Sequence, residues 1–254
     1  MFEGSVTARV FGLAPGVDVP KGLHDGLIQR TAGAPPETLA RVQLIVNTAR
    51  MERRLQDLFD TGPARLLPRV HLLTRIDGLD PAVTLPQAVS PLRRRLELIT
   101  LVGRLIDQQP ELAPRSSLYD LTDSLASLMD EMQGEGVAAD TIFNLDVSDD
   151  SGHWQRAQAF IRIAHEYLQH GSTTPDKETR QRLLVTNLAE RWALNPPQHP
   201  VILAGSTGSR GTTMLLMEAI AQLPQGALIL PGFDFDMPLA QWLHLDDPLL
   251  SEDH

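Results

Sequence analysis

Two separate strand–helix–strand patterns constrain the fold of this chain more than any other sequence feature. The run 42–46 is almost entirely apolar, as is typical of a parallel strand buried on both faces of a sheet. Helical patterns at 20–31, 50–59 and 212–223 connect such runs. The sequence predicts strands at 6–13, 42–46, 69–73, 201–204 and 227–230. Strands that alternate with helices in this way predict an α/β fold on a parallel sheet.

A long helical block separates the two patterns. Ser90 followed by Pro91 is typical of a helix start, with a serine cap and proline at the first helical position. Helical periodicity predicts four helices in the block, at 90–106, 117–133, 151–171 and 176–192. We therefore expect an α/β core formed by 1–85 and 198–254, with 86–197 inserted as an all-helical subdomain.

Composition excludes several classes of function. The chain has no cysteine, so it contains no disulfide scaffold, thiolate zinc site, cysteine-ligated iron–sulfur cluster or cysteine nucleophile. No apolar run approaches the roughly 20 residues of a membrane-spanning helix, and the N-terminal sequence lacks the pattern of a secretory signal. We therefore expect a cytoplasmic protein without a membrane partner. Because the net charge is −10, any contact with nucleic acid should be local or shared with a partner.

A glycine-rich loop follows the fourth predicted strand, with the sequence GSTGSRGTT from Gly205 to Thr213. A strand, a glycine-rich loop and a helix form the usual layout of a phosphate cradle. A Walker A loop needs lysine after its last glycine, whereas here Arg210 precedes Gly211 and no lysine is present. Three interpretations stay open: a tight turn with a helix cap, an anion contact, or a nucleotide site. The anion contact would use Gly205, Ser206, Thr207, Gly208 and Ser209.

The segment after the first predicted strand, 12–22, occupies the position of the cradle in a P-loop protein. It contains glycines and Lys21 but no GK[ST] sequence. Pro15 and Pro20 each remove a backbone donor that a phosphate would need. We therefore interpret the segment as a degenerate loop.

Polar residues at the carboxyl end of the second predicted strand are placed to contact a ligand. They are Asn47, Thr48 and Arg50. The alternative interpretation is that they form a helix cap followed by a solvated helix face and contact no ligand. The arginine triplet 93–95 fits a solvent-facing or ion-paired set better than a phosphate site.

The remaining candidate groups give weaker support for a functional site. Asp234 and Asp236 fit a loop better than a metal site, since no lysine or histidine supports them. Trp154 fits a core position, and His153 has no partner at metal-ligand spacing. The residues predict no catalytic set and no metal site.

Five segments in the right order resemble the N-terminal part of bacterial AddB proteins, and together they extend over essentially the whole chain. They are LIVNTARMERRLQDLF, SPLRRRLELITLVGRL, SGHWQRAQAFIRIAHE, VILAGSTGSRGTTMLLMEAIAQLPQGALILPGFD and LDDPLLSEDH. AddB is one subunit of the AddAB helicase–nuclease, which repairs double-strand breaks. The first segment also resembles the DNA-contacting motif Ia of superfamily 1 helicases, with Asn47, Thr48 and Arg50 at matching places.

The resemblance implies a P-loop-NTPase-like core, similar to helicase domain 1A, that has lost its ATPase motifs. It also implies an AddA-type partner that carries the ATP-driven motor, and DNA as a second partner. ATP, magnesium and the family's iron–sulfur cluster would belong to other parts of that complex, so we expect no cofactor in this chain. The chain resembles one part of a longer polypeptide whose nuclease domain lies further along.

These observations lead to one main expectation. The chain should be an inactivated helicase-like region of a double-strand break repair helicase–nuclease, which holds its partner and guides DNA. The alternative is a small enzyme that binds an NTP or another phosphate ligand through Gly205 to Thr213. A free-standing interaction domain is a third possibility.

Overall fold

The computed structural model describes residues 7–138, 141, 162–163, 167 and 174–244. The strands are β1 (Val10–Gly12), β2 (Gln43–Val46), β3 (Arg69–Leu72), β4 (Val201–Ala204) and β5 (Gly226–Leu230). The helices are α1 (Val19–Thr31), α2 (Glu37–Ala40), α3 (Ala49–Asp60), α4 (Pro91–Gln108), α5 (Leu118–Glu135), α6 (Lys177–Leu194), α7 (Gly211–Ala221) and α8 (Leu239–Leu243). A short 3-10 helix, Arg115–Ser117, precedes α5.

The five strands form one sheet in the order β1-β5-β4-β2-β3, and every neighbouring pair is parallel. The predicted α/β fold on a parallel sheet is therefore confirmed. In the middle of the sheet, Leu44 pairs with Val70 on one side and Ile202 on the other. Parallel strands need crossover connections, and α3 supplies the one between β2 and β3.

The central strands are buried because their side chains are apolar on both faces of the sheet. All four residues of β4 are buried, as are three of the four in β2. One face packs against α1 and α3, which contribute Leu23, Leu27, Met51, Leu55 and Phe59 to the core. Those side chains recur every four residues along each helix, which is the spacing that places them on one face and the pattern seen in the sequence.

The chain falls into two compact units. The first consists of Met1–Ile76, Pro196–Thr207 and Ile220–His254, and it holds all five strands. The second consists of Asp77–Asn195 and Gly208–Ala219 and includes α4, α5 and α6. The expected domain limits after residues 85 and 197 stay a prediction, since a compact unit is not by itself a domain that folds alone.

Helices in the second unit pack around their own core. Its buried members are Leu98, Val102, Ile106, Leu125, Met129 and Ile163. The predicted helix 151–171 lies almost entirely outside the described residues, as do His153 and Trp154. The C-terminal segment 245–254 also lies outside them.

Helix caps explain where several helices begin. Ser90 accepts a hydrogen bond from the Arg93 amide at the start of α4, as the sequence predicts. Asp176 does the same for the Thr179 amide in α6.

In the part of the chain that the structure describes, no helix combines the length and apolar character needed to cross a membrane.

Candidate phosphate and nucleic-acid site

The strand order reverses direction between β2 and β4. The chain leaves β2 for β3 on one side, whereas it leaves β4 for β5 on the other side. Ligands of open α/β sheets bind at such a reversal, outside the carboxyl ends of the strands. The carboxyl ends of β2 and β4 therefore mark the candidate site of the first unit.

Two of the predicted site residues meet at this reversal. The Asn47 side-chain amide donates a hydrogen bond to the Gly205 carbonyl oxygen. The Gly205 amide donates to the Ile229 carbonyl at 3.0 Å, so it is not available to an anion. Gly205 has a φ of +82°, and a Cβ there would lie 2.8 Å from the Met51 sulfur. The glycine is therefore explained by backbone conformation and close packing.

The other two residues predicted to contact DNA are exposed at the start of α3. The Thr48 hydroxyl accepts a hydrogen bond from the Met51 amide at 3.2 Å, which confirms the helix-cap interpretation for this residue. Arg50 is exposed in the first turn of the helix and forms no ion pair with a described residue. Asn47, Thr48 and Arg50 therefore lie together, and their contact with DNA stays a prediction.

The remaining anion candidates differ in exposure. Ser206 is partly buried and Thr207 is exposed in the first unit. Gly208 is buried with a φ of +76°, and Ser209 is exposed; both belong to the second unit. The loop thus carries the chain from one unit to the other.

Within the second unit, a carboxylate of the protein occupies the N-terminus of α7. The Gly211 amide lies 3.0 Å from both Glu135 carboxylate oxygens and donates to them. The Thr212 hydroxyl donates to the Gly134 carbonyl at 2.8 Å. A Cβ on Gly211 would lie 2.6 Å from a Glu135 oxygen and 3.1 Å from the Glu135 Cα, so glycine is needed for this approach. An amide that a phosphate could use is therefore already bonded.

The first helix N-terminus is occupied in a similar way. Asp18 accepts hydrogen bonds from the Lys21 amide at 3.1 Å and from the Arg54 guanidinium at 3.2 Å. These two bonds, the amide's first, hold the pKa of Asp18 below its usual range. The Lys21 ammonium, one of only two in the chain, pairs with Asp25 at 2.5 Å. The segment 12–22 thus carries its own anion at the N-terminus of α1.

Each arginine of the triplet at the start of α4 forms an ion pair within the second unit, although the Arg94 Nε and Nη2 atoms are buried without a hydrogen-bond partner among the described residues. Arg93 pairs with Glu97 at 2.8 Å, Arg94 with Asp130 at 2.6 Å and Arg95 with Asp123 at 2.7 Å. The ion-paired interpretation of the triplet is therefore confirmed.

The carboxylates after β5 form a turn. Asp234 accepts hydrogen bonds from the amides of Asp236 and Met237, at 2.9 Å and 3.2 Å. The described residues contain no group of three or more side chains able to hold a metal ion. The loop interpretation of Asp234 and Asp236 fits this geometry.

From the sequence, we did not predict that Glu135 bonds the Gly211 amide at the end of the glycine-rich loop. An acidic residue at the last position of a helix is unfavourable beside the negative end of the helix dipole. That mismatch was a usable signal that the carboxylate has a partner elsewhere. Its partner, 76 residues further along the chain, could not be inferred from sequence.

Comparisons with protein-family models and with curated proteins find no match to this chain. The resemblance to AddB proteins therefore stays a prediction that the segments quoted above support.

Proposed function

We propose that this chain is an inactivated helicase-like region of a double-strand break repair helicase–nuclease, with a DNA-guiding and partner-binding role. The sheet order, in which β5 and β4 lie between β1 and β2, fits a P-loop-NTPase-like core of the helicase domain 1A type. The resemblance of five ordered segments to AddB supports the same identity.

The proposal that this region is inactivated rests on one observation. At the N-termini of α1 and α7, the two places where the sequence suggested a phosphate cradle, a carboxylate of the chain itself accepts a hydrogen bond from one helix amide. A bound phosphate would have to displace Asp18 or Glu135 and would meet their negative charge. Because the alternative NTP or phosphate enzyme needs the amides after Gly205, this arrangement counts against it.

The DNA-guiding part of the proposal rests on Asn47, Thr48 and Arg50. They are exposed at the carboxyl end of β2, where the sheet order reverses. Arg50 is free to meet a phosphate, in contrast to the paired arginines of α4. With a net charge of −10, the chain can offer DNA only such a local contact, so an AddA-type partner would supply the rest.

A DNA-binding titration tests this proposal. Fluorescence anisotropy of a labelled oligothymidylate should detect weak binding at low ionic strength, with a dissociation constant of about 100 μM or less. Arg50→Glu should weaken it by about fivefold, because one phosphate contact becomes a repulsion. Co-elution with an AddA-type subunit in size-exclusion chromatography tests partner binding.

Arg41→Glu is the matched control. It makes the same charge change on an exposed arginine, but Arg41 precedes β2 whereas Arg50 follows it, so the two lie at opposite ends of the strand. The control should keep the wild-type affinity. Equal losses in both variants would mean that only net charge matters, and no wild-type binding would contradict the DNA-guiding role.

A further inference from the structure

β1 forms one edge of the sheet, with β5 as its neighbour among the described strands. The Leu228 amide donates to the Arg9 carbonyl at 2.8 Å, and the Leu13 amide donates to the Leu230 carbonyl at 2.9 Å. Bonding alternates along a parallel strand, so the N–H and C=O groups of Val10 and Gly12 point away from β5. They are placed to bond another strand.

The described edge strand carries neither a charged side chain nor proline, two of the devices by which proteins blunt free edges. Its protection of this kind is its shortness, since it has three residues. The edge strand here is Val-Phe-Gly, with Val10 50% exposed and Phe11 38% exposed. An exposed apolar edge of this kind marks an interaction surface.

A groove runs beside the edge, on the face of the sheet that packs against α1. It encloses a cavity of about 230 Å³. We call it the edge groove, and its principal lining residues are Phe11, Leu13, Gly22, Gly26, Arg30 and Ile229. The space is large enough for one aromatic or large aliphatic side chain.

Two glycines leave the groove open, although neither backbone conformation nor close packing against described residues requires glycine at their positions. Gly22 and Gly26 lie one helical turn apart in α1, and neither has a positive φ. A Cβ on Gly22 would make only ordinary contacts with Leu13 at 3.7 Å, and one on Gly26 would come no closer than 3.9 Å, to the Arg30 guanidinium. Glycine inside a helix costs stability relative to alanine, so these positions favour open space over helix stability.

Arg30 gives the groove its charge. It is the one charged residue among those that line the cavity, and its guanidinium lies 5.1 Å from the centre of the Phe11 ring. Arg30 forms no ion pair with a described carboxylate. An occupant of the edge groove should therefore carry an acidic group.

We propose that β1 and the edge groove bind an extended segment of a partner protein, which adds to the sheet as a sixth strand beside β1. Its backbone bonds the outward groups of Val10 and Gly12. A large apolar side chain enters the cavity, and an acidic side chain two residues away, on the same face of the added strand, reaches Arg30. This proposal does not depend on the function proposed above.

A peptide titration tests it. The probe is the fluorescein-labelled peptide Ser-Thr-Val-Thr-Phe-Thr-Glu-Thr-Ser, which carries the apolar and acidic side chains two residues apart. Its anisotropy should report saturable binding to the full chain. Gly26→Leu, which fills the cavity, and Val10→Pro, which removes an outward N–H without breaking a bond to β5, should each weaken binding at least tenfold.

Matched variants separate these effects from general damage. Val10→Thr keeps the outward N–H, and Gly134→Leu places leucine at another helical glycine with open space around its Cβ position. Both should bind the peptide as the wild type does, and thermal unfolding reports whether each variant folds. A probe N-methylated on alternate amides should lose binding to the wild-type chain, which gives a test that needs no variant.

Three results would overturn the proposal. The first is no binding of the probe to the wild-type chain. The second is wild-type affinity in Gly26→Leu and Val10→Pro, and the third is an N-methylated peptide that binds as tightly as the unmodified probe. A wild-type dimer in sedimentation that Val10→Pro dissociates would also overturn it, because the occupant of the edge would then be a second copy of this chain.

Discussion

At the scale of single residues, the glycines after β4 let protein groups come close to one another. Gly205 accommodates Asn47 and Met51, and Gly211 accommodates Glu135. The chemistry that a glycine-rich loop offers to a phosphate is used here for internal packing.

Replacement of Gly205 tests this packing role. Gly205→Ala should lower the free energy of unfolding by about 2 kcal/mol, since it combines an unfavourable positive φ with crowding by Met51. Gly33→Ala is the control, because Gly33 has a φ of +75° with nothing within 4 Å of its Cβ position. It should cost about 1 kcal/mol, the conformational part alone. Equal losses in urea unfolding would contradict the crowding at Gly205.

At the scale of elements, β3 closes the sheet at the edge opposite β1 and carries a histidine in an unfavourable place. The His71 Nε2 atom is buried and has no hydrogen-bond partner among the described residues. Burial, and then the nearby Arg69 charge, hold the pKa of His71 below its ordinary value. The unfolded chain therefore takes up a proton near pH 6.5 that the folded chain resists, so stability falls as the pH drops below that value.

Replacement of His71 should show both effects. His71→Leu should raise the free energy of unfolding by about 1 kcal/mol at pH 7, because no unpaired polar atom remains buried. It should also reduce the loss of stability between pH 7 and pH 5. His71→Gln should reduce that loss without the gain at pH 7, since glutamine is polar but does not titrate. Urea unfolding at both pH values measures this, and a wild-type pH dependence in His71→Gln would contradict it.

The elements themselves were largely predictable from sequence. The strand 201–204 was predicted at its observed limits, and 42–46 within one residue, because short apolar runs between turns leave few alternatives. The sheet order and the bond between Glu135 and Gly211 could not be predicted. They depend on pairings between residues far apart in the chain, which local patterns do not encode.

At the scale of the whole molecule, an α/β sheet with the reversal expected of a ligand site coexists with carboxylates at both places suited to phosphate. The chain is acidic overall, with a net charge of −10. In the proposed function, an AddA-type partner would supply both the nucleotide chemistry and most of the DNA contact.

Calorimetric titration of ATP and magnesium into the chain tests this account most directly. Asp18 and Glu135 each bond one helix amide and place a negative charge where a nucleotide phosphate would approach, so we predict no binding heat up to about 1 mM ATP. Saturable binding with a micromolar dissociation constant would contradict the claim that the nucleotide site has been lost.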